Sequence, residues 1–432
     1  MRITRRTLMG GLGGMTAASA LGGCGGFTRA ESGGGGADTL RFKTWASEAE
    51  KSAFTRLVDA FNKAEGVRVK LEIVPYAEMF TGVDTELQAG NPPDVFRVDY
   101  PTLGTYSSTG QLLDLGDQLD SELTDDLIPA LYEAVQYDGK PFGVPHQTDT
   151  TAIVYQPRLL REAGISTVPD SLDSAWSWEE FSDVAGRLRS SLPSGVFPFA
   201  YDWQQLGAYR WLTWLFEADG RLLAEDLTTP QIVSPQGRKA LQYTLGFFEQ
   251  QWIPPNTSVK GATYPDTVFA SQKVAMAFVG DFLLPFLDET IGDGFEWQVT
   301  YQPRDVRAST DLGGNALVAA AATEKADLAG TFLRYMVEAD NMQSFCEETI
   351  ELPTRQSLVD VDLDYKVRPD LMPTFVQQAT TLTPEDVAQV TVPFFAEING
   401  TLQSELELCF VDGQSIDDTL SNIADALETA AS

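Results

Sequence analysis

Between Thr39 and Asp99 the chain alternates between two hydrophobic periods, and this alternation restricts the fold more than any other feature. From Thr39, LRFKTWA reads as a strand that ends in a loop at Trp45, and VRVKLEIVPY alternates as a second strand. Between them, SEAEKSAFTRLVDAFNKAEG sets Phe54, Leu57, Val58 and Phe61 on one helical face and stops at Gly66. A second helical stretch, AEMFTGVDTELQAG, ends at Gly90 and the Pro92–Pro93 break, and DVFRVD follows as a third strand. A β-α-β-α-β opening implies parallel strands covered by helices. Ligands of such sheets sit at the carboxyl ends of the strands. That singles out Trp45 after the first strand, and Asp99 and Tyr100 after the third.

Further along, two strand-like runs, Pro141 to Val144 and Thr151 to Tyr155, flank a polar turn from His146 to Thr150. His146, Gln147 and Asp149 are therefore candidate cleft residues. Tyr201 and Trp203 lie in a loop and are candidates too. Trp211 and Trp214, three apart on a helix, read as core. VAMAFV is a buried strand leading to Gly280 and Asp281, where a glycine lets a ligand approach backbone. GNALVAAAA reads as another strand, with Gly313, Gly314 and Asn315 leading into it. A mixed α/β chain of 432 residues suits two lobes with separate cores.

The N-terminus carries an address. Arg2, Arg5 and Arg6 precede an uncharged run from Leu8 to Leu21, too short and glycine-rich to span a bilayer. Arg5–Arg6 followed by Thr7 reads as a twin-arginine export signal. Leu21-Gly22-Gly23-Cys24 is similar to the bacterial lipobox, in which cleavage leaves the cysteine as a lipid-bearing N-terminus; an ordinary signal peptide with an incidental cysteine is the plainer alternative. Residues 1–23 are thus expected to be a signal peptide and 24–37 a lipid-anchored, glycine-rich tether. The protein would stand on the extracellular face of the cell membrane.

The formal charge is −32, and loss of the three arginines in residues 1–23 takes it to −35. Phosphate binding needs a basic face, so nucleic acid is excluded as a partner. There is a single histidine, His146, and there is no Cys/His ligand cluster and no G-x-S-x-G. A histidine-based zinc site is thereby disfavoured, and a Ser-His-Asp triad has only one residue to serve as its base. No cofactor, metal or catalytic residue is expected. Cys346 and Cys409 could bridge outside the cytoplasm; spacing alone does not decide it.

The order of several stretches resembles the carbohydrate-type, maltose-binding-like solute-binding proteins of bacterial ABC importers. They are TWASEAEKSAFTRLVDAFNKAEG, GNPPDVFRVD, DGKPFGVPHQTDTTAIVYQPRLLREAGI, WSWEEFSDVAGRL, SQKVAMAFVGDF, DLGGNALVAAAATEKADLAGTFLRYMVE and ELPTRQS. The resemblance covers nearly all of the chain beyond the tether. One departure is Tyr155–Gln156, where members often carry Tyr-Asn. The resemblance implies a type II periplasmic-binding-protein-like α/β fold: two lobes, joined by crossover hinges, that close on a ligand in the cleft between them. Hinges are expected near Pro145 to Thr150, Thr310 to Gly313 and Leu352 to Gln356. Lobe 1 would then comprise 38–147 with 311–353, and lobe 2 would comprise 148–310 with 354–432. Ligand contacts are expected at Trp45, Asp99, Tyr100, His146, Gln147, Asp149, Tyr201, Trp203, Gly280, Asp281, Gly314, Asn315 and Arg355.

The function implied is a monomeric, membrane-anchored receptor that delivers a sugar or oligosaccharide to the permease subunits of an ABC importer. Carboxylates, amides and aromatic plates together match the polar edges and flat faces of sugars. Other cargoes on the same fold, a polyamine above all, and a secreted glycoside hydrolase using two carboxylates are the alternatives.

Overall fold

The computed structural model describes residues 39–203 and 207–432. The signal peptide, the tether and Cys24 lie outside the described residues.

Strand β1 (Thr39–Thr44) leads into helix α1 (Glu48–Glu65). Ser47 and Glu50 cap α1 reciprocally, and Gly66 ends it in the left-handed region at φ 68°. Phe54, Leu57, Val58 and Phe61 are buried, as their period requires. Then come β2 (Arg68–Ile73), α2 (Tyr76–Gln88), β3 (Val95–Asp99) and α3 (Tyr100–Ser108). Strand β4 (Gly143–Gln147) and strand β5 (Thr151–Tyr155) follow one another, separated by three residues. Beyond them are α4 (Trp178–Ser191), β6 (Phe197–Ala200), α5 (Pro265–Ala270), β7 (Val274–Gly280), β8 (Gln298–Thr300) and β9 (Asn315–Ala319). The chain ends on helices, among them α6 (Ala339–Thr349), α7 (Phe395–Phe410) and α8 (Ile416–Ala430).

Each of the two lobes is built on one sheet. The first has the order β2-β1-β3-β9-β4. Its first three strands are parallel, as the opening alternation requires, whereas β9 runs antiparallel to both β3 and β4. The second sheet has the order β8-β5-β7-β6. All seven residues of β7 are buried, so this strand is covered on both faces and reads as an unbroken apolar run.

Three segments pass between the sheets: the β4–β5 link, the stretch from β8 to β9, and the chain leaving α6. They are tied to one another. Thr148 and Leu352 exchange both backbone hydrogen bonds, at 2.9 and 2.8 Å. The Thr148 hydroxyl donates to Gly313 O at 3.0 Å, and the Thr150 and Thr310 hydroxyls meet at 2.5 Å. Gly314 has φ 98°, and a Cβ there would lie 2.4 Å from Thr148 Cα; a Cβ on Gly313 would lie 2.0 Å from an Asp149 carboxylate oxygen. The glycine pair is what lets the first two crossings lie against each other.

Cys346 and Cys409 are both free and buried, in separate hydrophobic cores. The bridge that an oxidising compartment would permit is absent. Among the described residues no helix is long and apolar enough to cross a membrane.

Candidate functional site

A cleft of about 910 Å³ opens where the carboxyl ends of β1 and β3 face the second sheet. Its first wall is aromatic. Trp45, just past β1, meets Tyr76 and Phe80 of α2 with ring centroids 5.1 and 5.8 Å away. The Arg97 guanidinium lies over the same indole, 4.5 Å from its centroid.

Arg97 projects from the middle of β3 and is 1% exposed. A buried cation must be paired, and Arg97 is paired twice: it donates to Glu50 of α1 at 2.5 Å and stands 3.7 Å from Glu351 on the third crossing. Asp99 ends the strand. The Tyr76 hydroxyl donates to it at 2.7 Å. With the Asn315 amide oriented to suit its neighbours, Nδ2 donates to Asp99 at 2.8 Å while Oδ1 accepts from Gln147 at 2.7 Å and Arg97 at 3.0 Å. Burial pushes the Asp99 carboxyl up to about 6, against the pull of Tyr76, Arg97 and Arg210.

The opposite wall repeats the chemistry. Tyr209 and Arg210 come from the tight helical turn Gly207–Trp211, Tyr264 precedes α5, and Phe282 follows β7. Arg210 sits 4.9 Å from the Tyr209 ring centroid, and its Nε lies 3.2 Å from Asp311 and 3.6 Å from Asp202. Tyr264 and Phe282 meet edge to face at 5.9 Å. Between the walls lies Asp149, on the first crossing. Burial, with Asp311 next to it, pushes its carboxyl up to about 7.

Of the thirteen ligand contacts expected from the sequence, the cleft gathers Trp45, Asp99, Gln147, Asp149, Gly314 and Asn315. The other seven sit elsewhere, each for a physical reason. Tyr100 is fully buried, and its hydroxyl donates to Gln147 O at 3.0 Å, tying α3 to β4. His146 is also fully buried. It stacks on Phe54 at 5.5 Å and meets Phe345 edge to face at 4.4 Å. Burial, reinforced by Arg97, pushes it down to about 3, so it is a neutral core ring.

Tyr201 and Trp203 pack together at 4.6 Å and line a separate cavity of about 510 Å³ in the second lobe. Gly280 makes room for the Phe282 ring, which a Cβ would approach to 2.2 Å. Asp281 is fully buried behind that ring, accepting from the Phe282 amide at 3.0 Å. Arg355 is bound to Asp126 at 2.7 Å and to Val337 O at 2.7 Å.

The sequence reading missed Glu50, Tyr76, Arg97, Tyr209, Arg210, Tyr264, Phe282 and Glu351. One signal was available: an arginine in the centre of an otherwise buried strand demands a buried acid. The polar tyrosines and Arg210 sit in stretches whose apolar neighbours mask them.

The comparisons with known proteins agree with this geometry. The family model described as bacterial extracellular solute-binding protein matches residues 45–343. The diacetylchitobiose binding protein DasA of Streptomyces coelicolor is 22% identical over 311 residues, 70% of each chain. A maltooligosaccharide ABC transporter solute-binding lipoprotein of Streptococcus pneumoniae is 25% identical over 318 residues, 72% of this chain and 71% of the other. The fold is that of the GacH receptor of Streptomyces glaucescens, solved unliganded and with acarbose: TM-score 0.76, 22% identity, 91% of this chain and 98% of that one. Two lobes, three tied crossings and a match over most of the folded part lead to one assignment: the chain belongs to the bacterial extracellular solute-binding proteins.

Proposed function

We propose that this protein is a membrane-anchored receptor that captures a sugar or oligosaccharide by lobe closure and delivers it to the permease subunits of an ABC importer. One observation carries the reading. Two opposed aromatic sets, Trp45–Tyr76–Phe80 and Tyr209–Tyr264–Phe282, enclose hydrogen-bonding carboxylates and amides within one cleft of about 910 Å³. That size lies in the range of small-ligand sites, about 300–1,000 Å³. Flat C–H faces stack on such rings while hydroxyls meet Asp99, Gln147, Asp149 and Asn315. The relatives named for diacetylchitobiose and for maltooligosaccharide support a carbohydrate cargo.

In this reading lobe 1 comprises 38–147 with 311–353, lobe 2 comprises 148–310 with 354–432, and the three tied crossings are the hinge. Ligand binds the closed form better and so shifts the equilibrium towards it. Export uses the twin-arginine signal, lipidation at Cys24 holds the protein to the outer face of the membrane, residues 24–37 are the tether, and the protein works as a monomer without catalysis.

The test is a thermal-shift screen of the chain from Gly25 onward against mono- and oligosaccharides, with polyamines included. A ligand at a hundredfold excess over Kd stabilises by about 2.7 kcal/mol. A large shift within one carbohydrate series is the expected result. A shift with polyamines alone would overturn the cargo.

A further inference from the structure

We infer that the sugar selected by this cleft carries a basic nitrogen, and that the Asp149 carboxylate is its partner. The inference rests on the receptor reading above and narrows its substrate class.

The two guanidiniums of the cleft are already engaged by acids of the chain, and among the described residues two buried lining carboxylates, Asp149 and Asp266, have no cation paired with them; Asp266 accepts from the Thr267 amide. Arg97 answers Glu50 and Glu351; Arg210 answers Asp311 and Asp202. Asp99 accepts from Tyr76 and Asn315. Asp149 lines the cleft and is 8% exposed, yet among the described residues no group of the chain donates a hydrogen bond to its carboxylate. The charged groups that face it are the carboxylates of Asp311, Asp99, Asp281 and Glu351 and the guanidiniums of Arg210 and Arg97. Both guanidiniums are engaged by other acids. A carboxylate so placed is costly to ionise, and for that reason its carboxyl is pushed up to about 7.

A ligand ammonium at this point would remove the penalty. It supplies the missing counter-charge and a charge-assisted hydrogen bond, about twice as strong as a neutral one. The aromatic plates on both walls then decide what carries the nitrogen. They fit the face of a ring, so the cation belongs on a sugar ring and not on a linear amine. Sugars bearing carboxylate or phosphate would meet an excess of buried acids and be rejected.

The test uses the full chain in detergent and three disaccharides of one skeleton: chitobiose, with an ammonium at C2 of each ring; cellobiose, with a hydroxyl there; and diacetylchitobiose, with a neutral amide. Titration calorimetry is run on the native chain and on Asp149→Asn, which keeps the shape and removes the charge; a cooperative melt of the variant shows that it is folded. We expect chitobiose to bind about tenfold or more tighter than cellobiose, as a hydrogen bond between charged groups implies. We expect Asp149→Asn to weaken chitobiose more than cellobiose and so bring the two within about twofold. Added salt should weaken chitobiose alone.

Equal or tighter binding of either neutral disaccharide overturns the inference and leaves the sugar receptor standing. So does an Asp149→Asn variant that loses both ligands alike, or failure of all three while another neutral sugar binds. Spermidine binding in the absence of any sugar overturns both readings.

Discussion

The two walls of the cleft use the same materials differently. On the first wall almost every polar group is bound to another part of the protein. Arg97 joins β3 to α1 and to the third crossing, and Asp99 joins β3 to α2 and β9. On the second wall the tyrosines keep their hydroxyls free: among the described residues neither Tyr209 nor Tyr264 makes a side-chain hydrogen bond. The first wall is a preorganised frame, while in the proposed reading the second offers groups left available to a ligand. Preorganisation is already present in the folded state, so damage to the first wall should register in stability. Damage to the second should register in affinity.

The largest effect should come from Arg97→Met. It leaves Glu50 and Glu351 buried without a counter-ion, and breaking a buried pair costs about 3–5 kcal/mol. Denaturant unfolding should show this loss without ligand present. A loss below about 1 kcal/mol, the value of an exposed pair, would mean that the first wall is no frame.

Trp45→Ala comes next. The indole is half-buried, lines the cleft and carries both the Tyr76 contact and the Arg97 contact, so in the proposed reading its loss registers in affinity as well as in stability. Calorimetric titration of the sugar found in the screen should weaken by about 30-fold, roughly 2 kcal/mol, the scale of a buried aromatic hot spot.

How far the molecule was legible in its sequence follows from the same contrast. The strands and α1 show in local periods, which depend only on neighbouring residues. Trp45 and Asp99 line the cleft as expected because both lie at carboxyl ends of strands, where a parallel sheet opens its crevice. His146 was misplaced because the polar run from His146 to Thr150 looked like a turn, whereas β4 continues through Gln147. In a strand, neighbouring side chains face opposite ways, so Gln147 lines the cleft and His146 enters the core. Asp281 missed by a single residue for a related reason: the chain bends after β7 and turns Phe282 inward to the cleft. Glu50 carried a local meaning, the helix cap, that concealed its second role. Arg210 lies among Tyr209, Trp211 and Trp214, whose packing signal is stronger than its own. Partners such as Glu351, about 250 positions from Arg97 in the chain, are brought in by the third crossing and leave no local trace.

Asp149→Asn tests the space between the walls. The folded-state carboxyl is raised to about 7 from the ordinary 3.8, so the folded protein holds a proton that the unfolded chain releases between those values. Ionisation of Asp149 therefore removes stability as pH rises from about 4 to 7, and the penalty is complete above pH 7. Replacing it with asparagine should raise Tm by a few degrees at pH 8, with the gain fading towards pH 4. His146, pushed down to about 3, acts in the opposite direction below pH 6.5, so the two must be separated by the variant and not by the native profile alone. A gain that persists unchanged at pH 4 would point to packing and not to charge.

The smallest effects give the sharpest comparison, because they remove one oxygen from each wall. Tyr76→Phe takes a donor from half-buried Asp99. A hydrogen bond to a charged group is worth about 1.5–3 kcal/mol, so unfolding stability should fall towards that range. Tyr264→Phe removes a hydroxyl that serves no partner in the chain, so stability should hold. Affinity should drop by about 1 kcal/mol, roughly fivefold, if that hydroxyl meets the ligand. Equal stability losses in the two variants would erase the distinction between frame and docking face, since the second wall would then be as fully committed before ligand arrives as the first.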